Sequence, residues 1–106
     1  MKRPPRMLDG ARVLEYAVVD ASVHFTGTLH LFHGDKRVGP VPGLAICRDT
    51  QMKELFLLHC DEKCSVVGGQ ILNAPDQPPV TTVEEVKLRA ENYYSGISAR
   101  WVAYDA

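Results

Sequence analysis

His59, Cys60 and Cys64 bring one imidazole and two thiols close together, and Cys47, His30 and His33 are further donors of the same kind. Thiolate and neutral imidazole are the ligands that hold zinc. Their spacing works against a site. His59 and Cys60 are adjacent in an apolar run that reads as a strand, where successive side chains point to opposite faces. Pairing the runs 44–47 and 54–60 through the polar loop 49–53 puts Cys47 beside about Leu55. Cys60 then lies ~15 Å further along the ladder. Cys60 and Cys64 alone can meet, across the turn Asp61, Glu62, Lys63. Two ligands do not close a structural site. No metal and no cofactor is expected, with His59, Cys60 and Cys64 as the residual candidates.

A Cys60–Cys64 bridge has plausible spacing, because opposed strand residues lie near the ~5.5 Å Cα separation a disulfide prefers. In a reducing compartment it would be transient or absent. Nucleophilic catalysis by Cys60 or Cys47 needs a neighbouring cation or base to generate thiolate. His59 faces away from Cys60, so small core hydrophobes are the better reading of these cysteines. The acid pairs Asp61, Glu62 and Glu84, Glu85 fall on a turn and in a first helical turn, where solvation and the helix dipole account for them. Gly68 and Gly69 lack the lysine of a phosphate-binding loop, and no metalloprotease, serine-elbow or dinucleotide motif is present. Pro75 and Pro78 have a P-x-x-P spacing, which is too short and frequent a match to carry a function.

The row His24, Thr26, Thr28, His30 lines one face of any strand that carries it, over ~20 Å. Two histidines that far apart cannot share an ion. Ala17 and Val19 on the preceding segment add apolar surface beside it. An apolar patch next to a polar row is a common interface composition. Ala17, Val19, His24, Thr26, Thr28 and His30 are therefore the candidate binding face.

The elements that must position these residues follow from periodicity. Residues 12–19 fit a helical stripe and a strand equally. Residues 22–31 alternate strictly, which is the pattern of a half-buried strand. A tight turn at Asp20 and Ala21 places Val18 opposite Val23, Tyr16 opposite Phe25 and Leu14 opposite Gly27, which predicts a hairpin, with a first helix as the alternative. Strands are expected at 44–47, 54–60 and 64–67, the last closed by Gly68 and Gly69. Pro40 and Pro42 remove ladder donors between 39 and 43. Thr81, Thr82, Val83, Glu84 match a capping box. Val83, Val86, Ala90 and Tyr93 or Tyr94 repeat on one helix face. Gly96 suits a left-handed stop. Ile97, Ala99 and Trp101 alternate as a final short strand. The fold class is α+β: a mostly antiparallel, meander-like sheet of about five to six strands, one amphipathic helix on one face, and a short last strand. Residues 1–10 read as a flexible basic arm, 11–106 as one globular domain, and 70–80 as a proline-containing loop.

The 106 residues are 45% hydrophobic and 24% charged, with 12 Lys and Arg against 13 Asp and Glu. That balance fits a single globular domain and excludes a disordered tail or a disulfide miniprotein. It also argues against a polyanion-steering field. No apolar segment follows the positive start, and no run reaches membrane length, so a cytoplasmic protein is expected. The function expected is a non-catalytic protein-interaction domain of the inhibitor, immunity or adaptor kind, leaning away from an enzyme. Its expected partner is another protein or a second copy of itself, not a membrane or nucleic acid. The alternatives are a nucleic-acid module using Lys2, Arg3 and Arg6 with Arg37, Lys53 or Arg89, and an enzyme or metal protein on Cys60, Cys64 and a histidine.

Overall fold

The computed structural model describes residues 2–28, 32–51, 53–71 and 80–105. In chain order the elements are β1 (Met7–Leu8), β2 (Ala11–Val18), β3 (His24–Phe25), β4 (Phe32–His33), β5 (Lys36–Arg37), β6 (Gly43–Asp49), β7 (Leu55–Cys60), β8 (Val66–Ile71), α1 (Val83–Tyr93), β9 (Tyr94–Ser95) and β10 (Trp101–Ala103), with a 3-10 turn at Ile97–Ala99. The fold is a mostly antiparallel sheet with a single helix near its C-terminal end.

β6 and β7 are apolar on both sides, so both their faces must be covered. They become the centre of the main sheet, in the order β1-β2-β6-β7-β8, with every pairing antiparallel. β10 also pairs with β2, on the stretch Glu15 to Ala17, while β1 pairs with Ala11 and Arg12. Side-chain alternation divides the sheet into two cores. Ala17, Leu44, Ile46, Leu55 and Leu57 pack under Val86, Ala90, Tyr94 and Ile97. Val13, Ala45, Cys47, Leu58 and Cys60 form the opposite layer with Leu8 and Ala11.

Residues 2–6, read from sequence as part of an arm, lie along that opposite layer. Pro4 is fully buried. Its carbonyl accepts from the Tyr104 hydroxyl at 3.1 Å, and the Lys2 carbonyl accepts from the Cys64 thiol at 3.4 Å. Arg3 and Arg6 stack on the Tyr104 ring, with guanidinium carbons 4.1 and 4.8 Å from its centroid.

The helix starts one residue later than the sequence motif suggested. Thr82, not Thr81, is the N-cap: its hydroxyl accepts from the Glu85 amide at 3.3 Å and donates to the Glu85 carboxylate at 2.9 Å. Val86 and Ala90 are buried, as the stripe predicts. At the far end the Glu91 carboxylate accepts from the amides of Gly96 and Ser98 and from the Ser98 hydroxyl. Gly96 has φ +95°, and a Cβ there would stand 2.9 Å from the Ser22 carbonyl oxygen. This reversal winds 97–99 into a 3-10 turn, so the expected strand begins only at Trp101.

The predicted hairpin of β2 with 23–27 does not form. β2 pairs with β6, Ala17 opposite Leu44 and Tyr16 opposite Ala45. The turn after Asp20 is present, with the Val23 amide donating to the Asp20 carbonyl at 3.1 Å. Beyond it the chain turns to the helix end: His24 and Phe25 pair with Ser95 and Tyr94. The alternating pattern specified a half-buried extended segment but not its partner. β6 offers β2 apolar contacts on both faces, whereas 23–27 offers them on one. Gly68 and Gly69, expected to close a strand, lie inside β8.

Candidate functional site

The expected binding row is split up. Ala17 is fully buried under the helix and Val19 is packed against the same core. His24 is exposed on β3. The Thr26 and Thr28 hydroxyls donate to the Asn92 carbonyl at 2.8 and 3.1 Å, occupying an acceptor that the end of α1 leaves open. These threonines fasten the segment to the helix rather than line a sheet face. His30 and the Pro75 to Pro78 stretch lie outside the described residues.

His59 and Cys60 point to opposite faces of the sheet, as strand geometry requires. Cys47 pairs with Phe56 and Cys60 with Gly43, four positions apart along β7 but within the same core layer. Burial pushes both Cys47 and Cys60 up to about 12, which leaves almost no thiolate at neutral pH. All three cysteines are free thiols, with Cys64 half-buried at the β7–β8 turn. His59 is fully buried, its ring 6.2 Å from the Tyr94 ring. Neither of its nitrogens has a hydrogen-bond partner among the described residues, and burial lowers its pKa from 6.5 to about 4. Among the described residues, no three histidine, cysteine or acidic side chains are grouped as a metal would need.

A different set of residues converges along the β2–β6 ladder, beside the turn that follows β6. Arg6, Arg12, Leu14, Arg48, Asp49, Thr50, Lys53 and Asp105 line a cleft of about 370 Å³. Four of the eight are cations and two are carboxylates. Arg12 on β2 is the direct cross-strand partner of Arg48 on β6. Like charges directly opposed in a ladder repel and weaken it.

Local structure holds Leu14, Arg48, Lys53, Arg6 and Asp105 in place. The β2–β6 register shifts between Val13 and Glu15, leaving Leu14 as the extra residue of a bulge. Such bulges bend a strand and re-aim side chains. Leu14 lines the cleft, and its carbonyl accepts from the Tyr104 amide at 2.9 Å. That bond delivers Asp105 to the cleft edge. Past the bulge, Glu15 reaches the helix side and meets Lys87 at 2.9 Å. Arg48 donates to the Lys53 carbonyl at 3.0 Å, and Lys53 has φ +63°. A side-chain-bearing residue in that region is strained by roughly 1 kcal/mol or more, and such strain gathers at functional sites. Arg6 grips Asp105 with two bonds, of 2.7 and 2.9 Å. The Arg6 hydrogen bond holds the Asp105 carboxyl below its usual range, aided by the charges of Arg6, Arg12 and Arg3.

Comparison with protein families, with curated proteins and with solved structures finds no match for this chain. The cleft therefore stands on its own chemistry. It contains cations that can bind an anion, and its lining includes no thiol and no imidazole. No described helix is long and apolar enough to cross a membrane.

Sequence reading missed this cleft for one reason. Arg12 and Arg48 are 36 positions apart, and their opposition follows only from pairing β2 with β6. The one local signal was Arg6 and Arg12 flanking a turn at Asp9 and Gly10.

Proposed function

We propose that the protein is a non-catalytic binding module that takes an acidic segment of a partner protein into the cleft lined by β2, β6 and the residues Arg6, Lys53 and Asp105. The opposed pair Arg12 and Arg48 carries this reading. Two like charges paired across one ladder favour an anion bound beside them, and guanidiniums pair with carboxylates in two-handed geometry. Arg6 and Lys53 add two further cations to the lining. The resident ion pair of Arg6 with Asp105 supports a carboxylate as the preferred anion, since that group already fits one of the guanidiniums.

Nucleic-acid binding by a free basic arm is the weaker reading. Arg3 and Arg6 are engaged with Tyr104 and its neighbours, and the chain carries a formal net charge of -1. The test is calorimetric titration at low salt with a glutamate-rich peptide and with its glutamine counterpart. Preferential binding of the acidic peptide, lost in Arg12→Ala with Arg48→Ala, is the expected result. Equal binding of the two peptides overturns the proposal, and a tighter complex with a single-stranded oligonucleotide of equal charge moves the partner to nucleic acid.

A further inference from the structure

We infer that Asp105 is a built-in stand-in for the ligand, a carboxylate of this chain that occupies Arg6 and must be exchanged for the partner's carboxylate when the cleft fills. The inference rests on the reading of the cleft as a carboxylate site and adds how that site is regulated.

Three observations support the exchange. First, the grip is selective for the group: both carboxylate oxygens of Asp105 accept from the two terminal nitrogens of Arg6, at 2.7 and 2.9 Å. A carboxylate from another chain can reproduce that fork without any change in Arg6. Second, the two partners differ in how firmly they are held. The Asp105 side chain is 75% exposed, against 29% for Arg6. Arg6 keeps its place through the Tyr104 ring, and its own carbonyl accepts from the Val13 amide at 2.9 Å. Asp105 has its described side-chain bonds to Arg6 alone. Third, the residue immediately before it is anchored independently of the ion pair. Tyr104 is tied to Leu14 by its amide, to Pro4 by its hydroxyl and to Tyr16 by an edge contact at 6.3 Å. A rotation of the Asp105 side chain then releases Arg6 while Tyr104 and the sheet stay as they are.

Exposed ion pairs are worth little, so the resident carboxylate weakens the incoming one without blocking it. Removing it raises affinity by between about 1.4- and five-fold. The loss of one negative charge would also help any anion, so the effect must be traced to Arg6 itself. A double-mutant cycle does this. The glutamate-rich peptide is titrated into the wild-type chain, Asp105→Asn, Arg6→Gln, and the double variant, with thermal unfolding of each to show that the fold is intact. The expected result is tighter binding by Asp105→Asn on the Arg6 background and no gain on the Arg6→Gln background. An equal gain on both backgrounds shows a diffuse charge effect and overturns the inference. Wild-type binding with no gain in Asp105→Asn overturns the inference and leaves the proposed function standing. If neither chain prefers the acidic peptide to its glutamine counterpart, both fall.

Discussion

Arg12 stands directly opposite Arg48 across the β2–β6 ladder, two like charges where a stable sheet would place unlike ones. The pair lines the cleft together with Arg6, Lys53 and Asp105. Arg12→Glu converts repulsion into a cross-strand attraction. The expected outcome is a gain in stability of about 0.2–1 kcal/mol at low salt, shrinking as salt is added, together with loss of acidic-peptide binding. Thermal unfolding at two ionic strengths, alongside the titration, measures both. A variant that is neither more stable nor weaker in binding means the opposed charges have no role.

His59 makes the fold sensitive to mild acid. Burial holds its imidazole neutral down to about pH 4, whereas in the unfolded chain it protonates near 6.5. The unfolded state therefore binds the proton better. The contribution is complete above pH 6.5 and declines as pH falls from 6.5 toward 4, by up to roughly 3 kcal/mol. His59→Leu removes two buried nitrogens that have no partner among the described residues, and should flatten that part of the curve while leaving neutral-pH stability equal or higher. Urea midpoints from pH 7.5 to 4 check it. An unchanged slope between 6.5 and 4 places the acid sensitivity elsewhere.

Thr26 and Thr28 share one acceptor, the Asn92 carbonyl. Either hydroxyl alone still serves it. Thr26→Val and Thr28→Val should each cost about 0.5 kcal/mol, and the double variant about 1.5 kcal/mol, more than the sum. Hydrogen exchange of the last turn of α1 should rise in the double variant. Strict additivity shows that the two bonds act independently.

Gly96 and Gly34 separate two costs that usually come together. Both have positive φ, but an added Cβ at Gly96 meets the Ser22 carbonyl at 2.9 Å, while at Gly34 it meets nothing within 4 Å. Gly34→Ala should lose about 1 kcal/mol or less for the backbone conformation alone. Gly96→Ala should lose distinctly more, because the β3–β9 pairing must also shift. Chemical denaturation of the two variants measures the difference directly.

The local elements were legible in the residues. The stripe Val83, Val86, Ala90 placed α1, and the spacing of threonines and glutamates marked its start to within one residue. The two-sided apolar runs marked β6 and β7. Strand alternation turned His59 away from Cys60, and pairing register placed Cys47 and Cys60 at different levels of the same ladder face. Partner choice was harder to read. The alternation in 22–31 fits any sheet edge, and only the packed fold shows Thr26 and Thr28 fastened to the end of α1.

What the sequence by itself determined is the set of local preferences: where the chain is extended, where it is helical, which side chains need burial and which glycine must reverse it. These depend on neighbours one to four positions away, through backbone sterics and periodicity. Only the tertiary structure decided that β2 lies against β6 rather than against 23–27, because that choice compares burial over the whole sheet. The candidate site followed from that decision. Arg12 and Arg48 become neighbours only when the β2–β6 register closes, and Arg6 meets Asp105 only when β1 and β10 share the same edge of β2.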